Sequence, residues 1–397
     1  MSLNALSPTY WSKRMGSKRY KTTQFRSFAN FEEQDGLSDG LKVDRPYRSN
    51  VVIENYVKGT ALEGQSLDAT SDQLTIDTVK GLLMYVDNVD KIQNKYSAAE
   101  AWIAEAMKRL NIGLDARFFY EVFSANDTVD DGDAGGTNGN AWVPSEATVY
   151  DLLTAINLKF DTANVPDGER KLAASPQFIR VLKKKLEGKN STWGDKVGKD
   201  GYVDEYDGIK FYKTNNLSAS ARWTPANNPS NNDTLTINGI TFTFVTSIGT
   251  TAGNVLIGAN TAATIDNLVA LINAGGVTSD SGVSNVSLSA ANKRTVQEWV
   301  AVDGTTYIEV RAMGASYMTV SGSEAADVWS AKIQHMLASA DKAIDAVIQK
   351  APSVEMASTV SAGKSGVNIL PLTLAGFYTF YQGKNEIFDV QVDSSNY

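Results

Sequence analysis

The sequence predicts an α+β protein interrupted by a mostly β module. Helical periodicity runs through 95–123, a stretch opening at Ser145, and 175–188. β-rich stretches lie at 47–58, 73–86, 208–213, 369–381 and 386–392. Residues 222–326 carry eleven charges in 105 positions, about half the chain-wide density of 21%, with 25 Ser and Thr, 11 Asn and 10 Gly. That shift marks a separate module set inside one chain, so the flanks should form one body.

A length of 397 residues with 42% hydrophobic content supports two or three domains with real cores. The absence of cysteine excludes a disulfide scaffold, a thiolate metal site and a cysteine nucleophile. One histidine, His335, excludes histidine-cluster metal sites. No run approaches the roughly 18 apolar residues of a membrane span, so no membrane partner is expected, and no signal peptide is legible at the start.

Charge is placed unevenly. Residues 1–30 hold Lys13, Arg14, Lys18, Arg19, Lys21 and Arg26 and no acid, against a net charge of −8 for the chain. Tyr10, Trp11, Tyr20, Phe25 and Phe28 are interleaved without clear periodicity. A basic, aromatic start of this kind predicts an arm that binds an acidic surface, a neighbouring subunit or nucleic acid. The acidic remainder argues against continuous binding to nucleic acid, because it repels polyphosphate.

Residues 47–58 and 73–86 predict a long two-stranded ribbon joined by Gly59–Ser71. Such a ribbon is marginal alone and needs a surface to lie on. In 95–123, Tyr96, Ala99, Trp102, Ile103, Ala106, Met107 and Leu110 form one helical stripe, and Asn111 and Gly113 predict a kink. Val149, Leu152, Leu153 and Ile156 give the next helix its apolar face. Ser175-Pro176 is an N-cap followed by proline at the first helical position, with Ile179, Leu182 and Leu186 facing inward. Inside the module, Leu235–Val245 reads as a hairpin turning at Asn238-Gly239. Thr264 is expected to cap a short helix reaching Ile272, followed by strands at 283–288, 298–302 and 306–312. Residues 328–350 carry the most regular helical stripe in the chain: Trp329, Ile333, Met336, Leu337, Ala340, Ile344, Val347 and Ile348.

Candidate chemistry fails on spacing. Gly363-Lys364-Ser365 resembles the end of a phosphate loop, but Ser358 stands where the first glycine belongs, so a polar hairpin tip is expected. Asp131–Gly136 resembles a calcium loop, but Trp142 occupies the place of the bidentate acid. Asp87, Asn88 and Asp90 read as caps at a strand-to-helix junction. On a helix, His335 shares a face with Ser339 and not with Asp341, so no triad is expected there. The chain is therefore read as non-enzymatic, with no cofactor and no metal.

The order of elements resembles the major capsid proteins of tailed bacteriophages with the HK97 fold. Four stretches carry the resemblance: Val57–Leu67 through Leu74–Asp77 and Val86–Gln93; Val165–Ile179; Tyr206–Leu217; and Ala340–Val354 with the terminal strands. The resemblance implies an HK97-like capsid fold, divided as an N-terminal arm (1–34), an extended loop with peripheral-domain strands (35–94), a spine helix (95–125) and an axial domain begun at 126–221. An inserted β-rich domain (222–326) and the axial return with terminal peripheral strands (327–397) complete it. It also implies a structural subunit that self-assembles into pentamers and hexamers of an icosahedral head around double-stranded DNA. Portal and scaffolding partners, assembly in the host cytoplasm and a place in the virion follow. Lys13, Arg14, Lys18, Arg19, Lys21, Arg26, Tyr56, Val57 and Leu62 become the candidate subunit contacts. Two alternatives stay open: an encapsulin-type nanocompartment shell, and a phage tail or surface adhesin.

Overall fold

In the computed structural model, a sheet of nine strands runs from the module at 222–326 into the rest of the chain. The structure describes residues 23–37, 40–48, 53, 55–56, 58–59, 69–87, 98–187, 205–278, 284–324, 326–361 and 364–395.

The backbone of this sheet is Val328–Ala340. One of its edges pairs with Ser218–Thr224 and then with Arg170–Ala174, and the other with Ile387–Asp393. Beyond Ser218–Thr224 come Ile308–Ala312 and Trp299–Asp303. Beyond Arg170–Ala174 come Ile209–Lys213 and Glu205–Tyr206. Residues 328–350 are thus not a helix but two strands, Val328–Ala340 and the start of Ile344–Ser361. The physical reason is burial on every side. Gln334 through Ala340 are all buried, so the strand lacks the alternation that marks a half-exposed strand, and its apolar residues match a helical period by chance.

Helix α1 (Ala98–Phe119) runs through Asn111 and Gly113 without a break and ends in a 3-10 turn at Tyr120–Ser124. Ala106, Leu110, Leu114 and Phe118 face the core, whereas Trp102 is exposed. Helix α2 (Val149–Thr162) and helix α3 (Pro176–Glu187) carry the predicted faces inward. Ser175 Oγ accepts from the Phe178 N–H at 3.2 Å, as the capping pattern requires.

Within the module, a four-stranded sheet orders Asn254–Leu256, Ile240–Val245, Thr234–Ile237 and Val320–Gly322. Asn238 and Gly239 have φ of 46° and 77°, the left-handed pair that a tight two-residue hairpin needs. Helix α4 (Thr261–Asn273) begins earlier than expected, because Asn260 is its cap and accepts from the Ala263 N–H at 2.9 Å. Thr264 lies inside the helix and is buried. Of the strand expected at 283–288, residues 284–288 are described and hold an isolated bridge, Val255 with Asn285, leading to helix α5 (Ala290–Val296).

The buried apolar residues fall into three clusters. The largest runs from Phe25 to Val392, the second lies wholly within 219–318, and the small third joins Leu74, Ile76, Val347 and Phe380. The module therefore has its own apolar core but shares the nine-stranded sheet.

Ala338 separates the strand from the helix arrangement of this segment. It is off the helical stripe, yet fully buried in the sheet. Ala338→Lys is expected to cost more than about 3 kcal/mol by burying an unpaired charge, read as insoluble or early-melting protein in a thermal melt. A variant that melts like the native chain would contradict the sheet placement.

Candidate assembly interface

The N-terminal segment is held by this chain's own core from Gln24 onward. Phe25 and Phe28 are buried, which corrects their reading as arm residues awaiting a partner. Phe25 packs 6.0 Å from both Phe118 and Phe377, and Phe28 lies 5.7 Å from Phe119 and 5.0 Å from Tyr212. Arg26 projects outward, its guanidinium 5.5 Å from the Phe25 ring. Lys13, Arg14, Lys18, Arg19 and Lys21 lie outside the described residues.

One carboxylate anchors this segment. Asp115 on α1 is fully buried, and its Oδ1 accepts from the backbone N–H groups of Gln24 and Phe25, both at 2.8 Å. Its Oδ2 accepts from Asn216 Nδ2 at 2.8 Å. Burial pushes the Asp115 carboxyl above its ordinary value, against the lowering by these three donors. The native state therefore takes up a proton at higher pH than the unfolded chain. This group's contribution to stability is full below the ordinary carboxylate value and is lost as pH rises through the raised one. Asp115→Asn keeps the acceptor for Gln24 and Phe25 and removes the titration. The melting-temperature gap between native chain and variant should thus widen in favour of the native chain as pH falls through that window, and a constant gap would contradict it.

The predicted ribbon exists with other boundaries. Its paired strands are Lys42–Arg48 and Ala69–Thr75, followed by the short strands Thr78–Gly81 and Met84–Asp87. The expected second strand, 73–86, is divided among Ala69–Thr75, Thr78–Gly81 and Met84–Asp87, and most of the expected first strand, 47–58, lies outside the described residues. The ribbon's base is clamped by Arg45. This guanidinium reaches both Asp345 oxygens at 2.8 and 3.1 Å and Glu33 at 2.8 Å, and lies 4.2 Å from the centre of the Phe380 ring. Burial holds the Asp345 carboxyl above its ordinary value, with Arg45 opposing the rise. Tyr47 stacks on Tyr381 at 4.6 Å, and Tyr381 N–H donates to Asp72 Oδ2 at 2.9 Å. Gly376 lets the ribbon sit down: a Cβ there would stand 2.7 Å from the Thr75 carbonyl oxygen. Away from the base, Tyr56 is exposed and Ile53 is 93% exposed. Val57 and Leu62 fall outside the described residues, as do Asn88 and Asp90.

His335 is not a partly exposed helical residue. It is buried in the central strand, with Nε2 2.8 Å from Ser220 Oγ and Nδ1 2.8 Å from Asp389 Oδ2. Phe123 covers the ring at 4.5 Å. Nearby, Arg311 and Arg222 hold the Glu309 carboxyl below its ordinary value, although burial alone would raise it. The three residues have the order of a nucleophile, a base and an orienting acid. Yet Ser220, His335 and Asp389 are each no more than 5% exposed, so no substrate reaches the hydroxyl. The arrangement satisfies polar groups where strand Ser218–Thr224, the central strand and the terminal strand meet. His335→Ala should cost about 1–3 kcal/mol or more by leaving the buried Asp389 carboxylate with Gln391 Nε2 at 3.2 Å as its remaining side-chain donor, with partial recovery in the Asp389→Asn double variant. A fluorophosphonate probe should leave Ser220 of the folded protein unlabelled, and labelling there would overturn the structural role.

The acids of the 130–139 loop are occupied with their own backbone. Asp130 accepts from Gly132 N at 2.8 Å and Gly139 N at 2.6 Å, and Asp131 from Thr137 N at 3.0 Å. Among the described residues, no three His, Asp or Glu side chains are grouped to hold a metal ion. No described helix is long and apolar enough to cross a membrane. Ser361 pairs with Lys364 and Val360 with Ser365, which puts Lys364 and Ser365 at the start of a hairpin's return strand; Gly363 lies outside the described residues.

The architecture has known counterparts. A chain of Mycobacterium phage Che8 superposes with a TM-score of 0.59 at 14% identity, covering 98% of each chain. The capsid structure of Cyanophage P-SCSP1u matches with a TM-score of 0.53 at 13% identity, over 100% of this chain and 95% of that one. This chain has the fold of a phage capsid protein. Neither a protein-family model nor a curated protein matches its sequence.

Asp115, Arg45 and Asp345 were not legible as site residues. Asp115 meets its partners 90 and 101 positions away, and Arg45 meets Asp345 300 positions away. No local pattern encodes such pairs.

Proposed function

We propose that the chain is the major capsid subunit of a tailed bacteriophage. It builds pentamers and hexamers of an icosahedral head of the HK97 type around double-stranded DNA, with portal and scaffolding partners, assembled in the host cytoplasm. The observation that carries this reading is the end-to-end fold match with a phage capsid chain. The clamped ribbon supports it, because its base is fixed while its exposed part lacks cover from this chain's core. In this reading the arm is the part before Gln24, with Lys13, Arg14, Lys18, Arg19 and Lys21 reaching a neighbour, and Tyr56, Val57 and Leu62 lying on another. The net negative charge keeps packaged DNA from adhering to the wall.

Electron microscopy of the purified product tests the reading. Closed shells are expected, and nuclease-protected DNA within virion-derived shells separates a head from an encapsulin-type compartment filled with protein. Monomers at every concentration would overturn it. Leu62→Asp should leave the melting of the unassembled subunit within about 0.5 kcal/mol of the native chain while blocking closed shells. Unfolding of the variant subunit would make this segment core, and unimpaired assembly would make it a free loop.

A further inference from the structure

We propose that the outer edge of Ser353–Ser361 is a strand-addition site, filled by the same edge of a second copy running antiparallel about a two-fold axis. The proposal rests on the self-assembly reading above. Strand Ile344–Ser361 is paired along one side with Lys364–Tyr378 down to the hairpin tip. On its other side only Ile344 and Asp345 are paired, with Ala29 and Asn30. Gln34 then closes the edge at Ile348: its Nε2 donates to the Ile348 carbonyl at 2.9 Å and its Oε1 accepts from the Ile348 N–H at 2.8 Å. Gln349 Nε2 donates to the Gly40 carbonyl at 3.0 Å. Pro352 and the register shifts between Ile348 and Ser353 blunt the next positions.

From Ser353 onward these protections stop. Ser353–Ser361 pairs in unbroken register with Leu372–Lys364, and among the described residues no backbone hydrogen bond crosses its outer edge. A row of unpaired N–H and C=O groups is a template for another strand, which monomeric proteins blunt with charge, proline or bulges. Glu355 is the one charged residue in Ser353–Ser361, and there is no proline. Glu355, Met356, Ala357 and Ser358 are exposed.

The charge pattern selects the occupant. An edge with a single acid pairs antiparallel with a copy of itself without opposing like charges, in every register but the one centred on Glu355. Self-complementarity of one patch is also what a two-fold contact demands. A basic arm would find only that one acid to meet.

The cysteine-free chain makes the test direct, because an introduced cysteine is the only thiol. Single variants Glu355→Cys, Met356→Cys, Ala357→Cys and Ser358→Cys are assembled, oxidised and run on non-reducing gels. Across a two-fold axis, one position or two adjacent ones should give covalent dimers, since a disulfide needs Cα atoms about 4.4–6.8 Å apart. In parallel, hydrogen exchange of the native chain should slow at least tenfold at alternate amides of 353–361 on assembly. Normal shells without dimers at any position overturn the two-fold pairing, even where exchange slows, and leave the capsid reading intact. A native chain that never associates overturns both.

Discussion

The nine-stranded sheet is built on the strand Val328–Ala340, whose two edges are both taken. It receives the module's root strand on one side, the strand before α3 farther along that side, and the terminal strand on the other. Because strands pair by a continuous ladder of backbone hydrogen bonds, the module cannot swing on a flexible tether. Its strands Ile308–Ala312 and Trp299–Asp303 extend the ladder outward, while its own apolar cluster supplies cohesion. The Ser220, His335 and Asp389 network lies at the junction, where three strands bring polar side chains together with no solvent to satisfy them. Most buried polar groups find a partner in such a place, as both nitrogens of His335 do.

This central position also explains which parts of the fold were legible in the sequence. Turn chemistry and helix caps are local, so Asn238-Gly239 and Ser175-Pro176 signal themselves within a few residues. The helices α2 and α3 have one wet face and therefore a readable period. The strand from Gln334 to Ala340 has no wet face, and its residues were free to satisfy packing rather than any alternation. Ala338 and Ser339, which look polar-neutral off a helical stripe, are core residues in a sheet. Long-range pairings account for the rest: Phe25 and Phe28 look like aromatics of a binding arm until Phe118, Phe119 and Phe377 are brought around them.

The subunit separates what it fixes from what it leaves uncovered. At the ribbon's base Arg45, Asp345, Glu33 and Phe380 converge, Tyr47 stacks on Tyr381, and Gly376 removes the side chain that would hold the strands apart. Tyr56 and Ile53, by contrast, are exposed among the described residues. The long hairpin repeats this division, sealed at Ile348 by Gln34 and, among the described residues, without a backbone partner on its outer edge beyond Ser353. A native domain is stable by only about 5–15 kcal/mol, so segments that contribute nothing to that sum are free of folding constraints. Their residues can then answer to a neighbour alone. In the proposed shell each such contact would recur on every copy and several would act on one subunit together, so weak contacts would suffice and errors could still dissociate. A rigid base makes this arrangement work, because an arm that is aimed in advance spends less of its contact energy on being ordered when it docks.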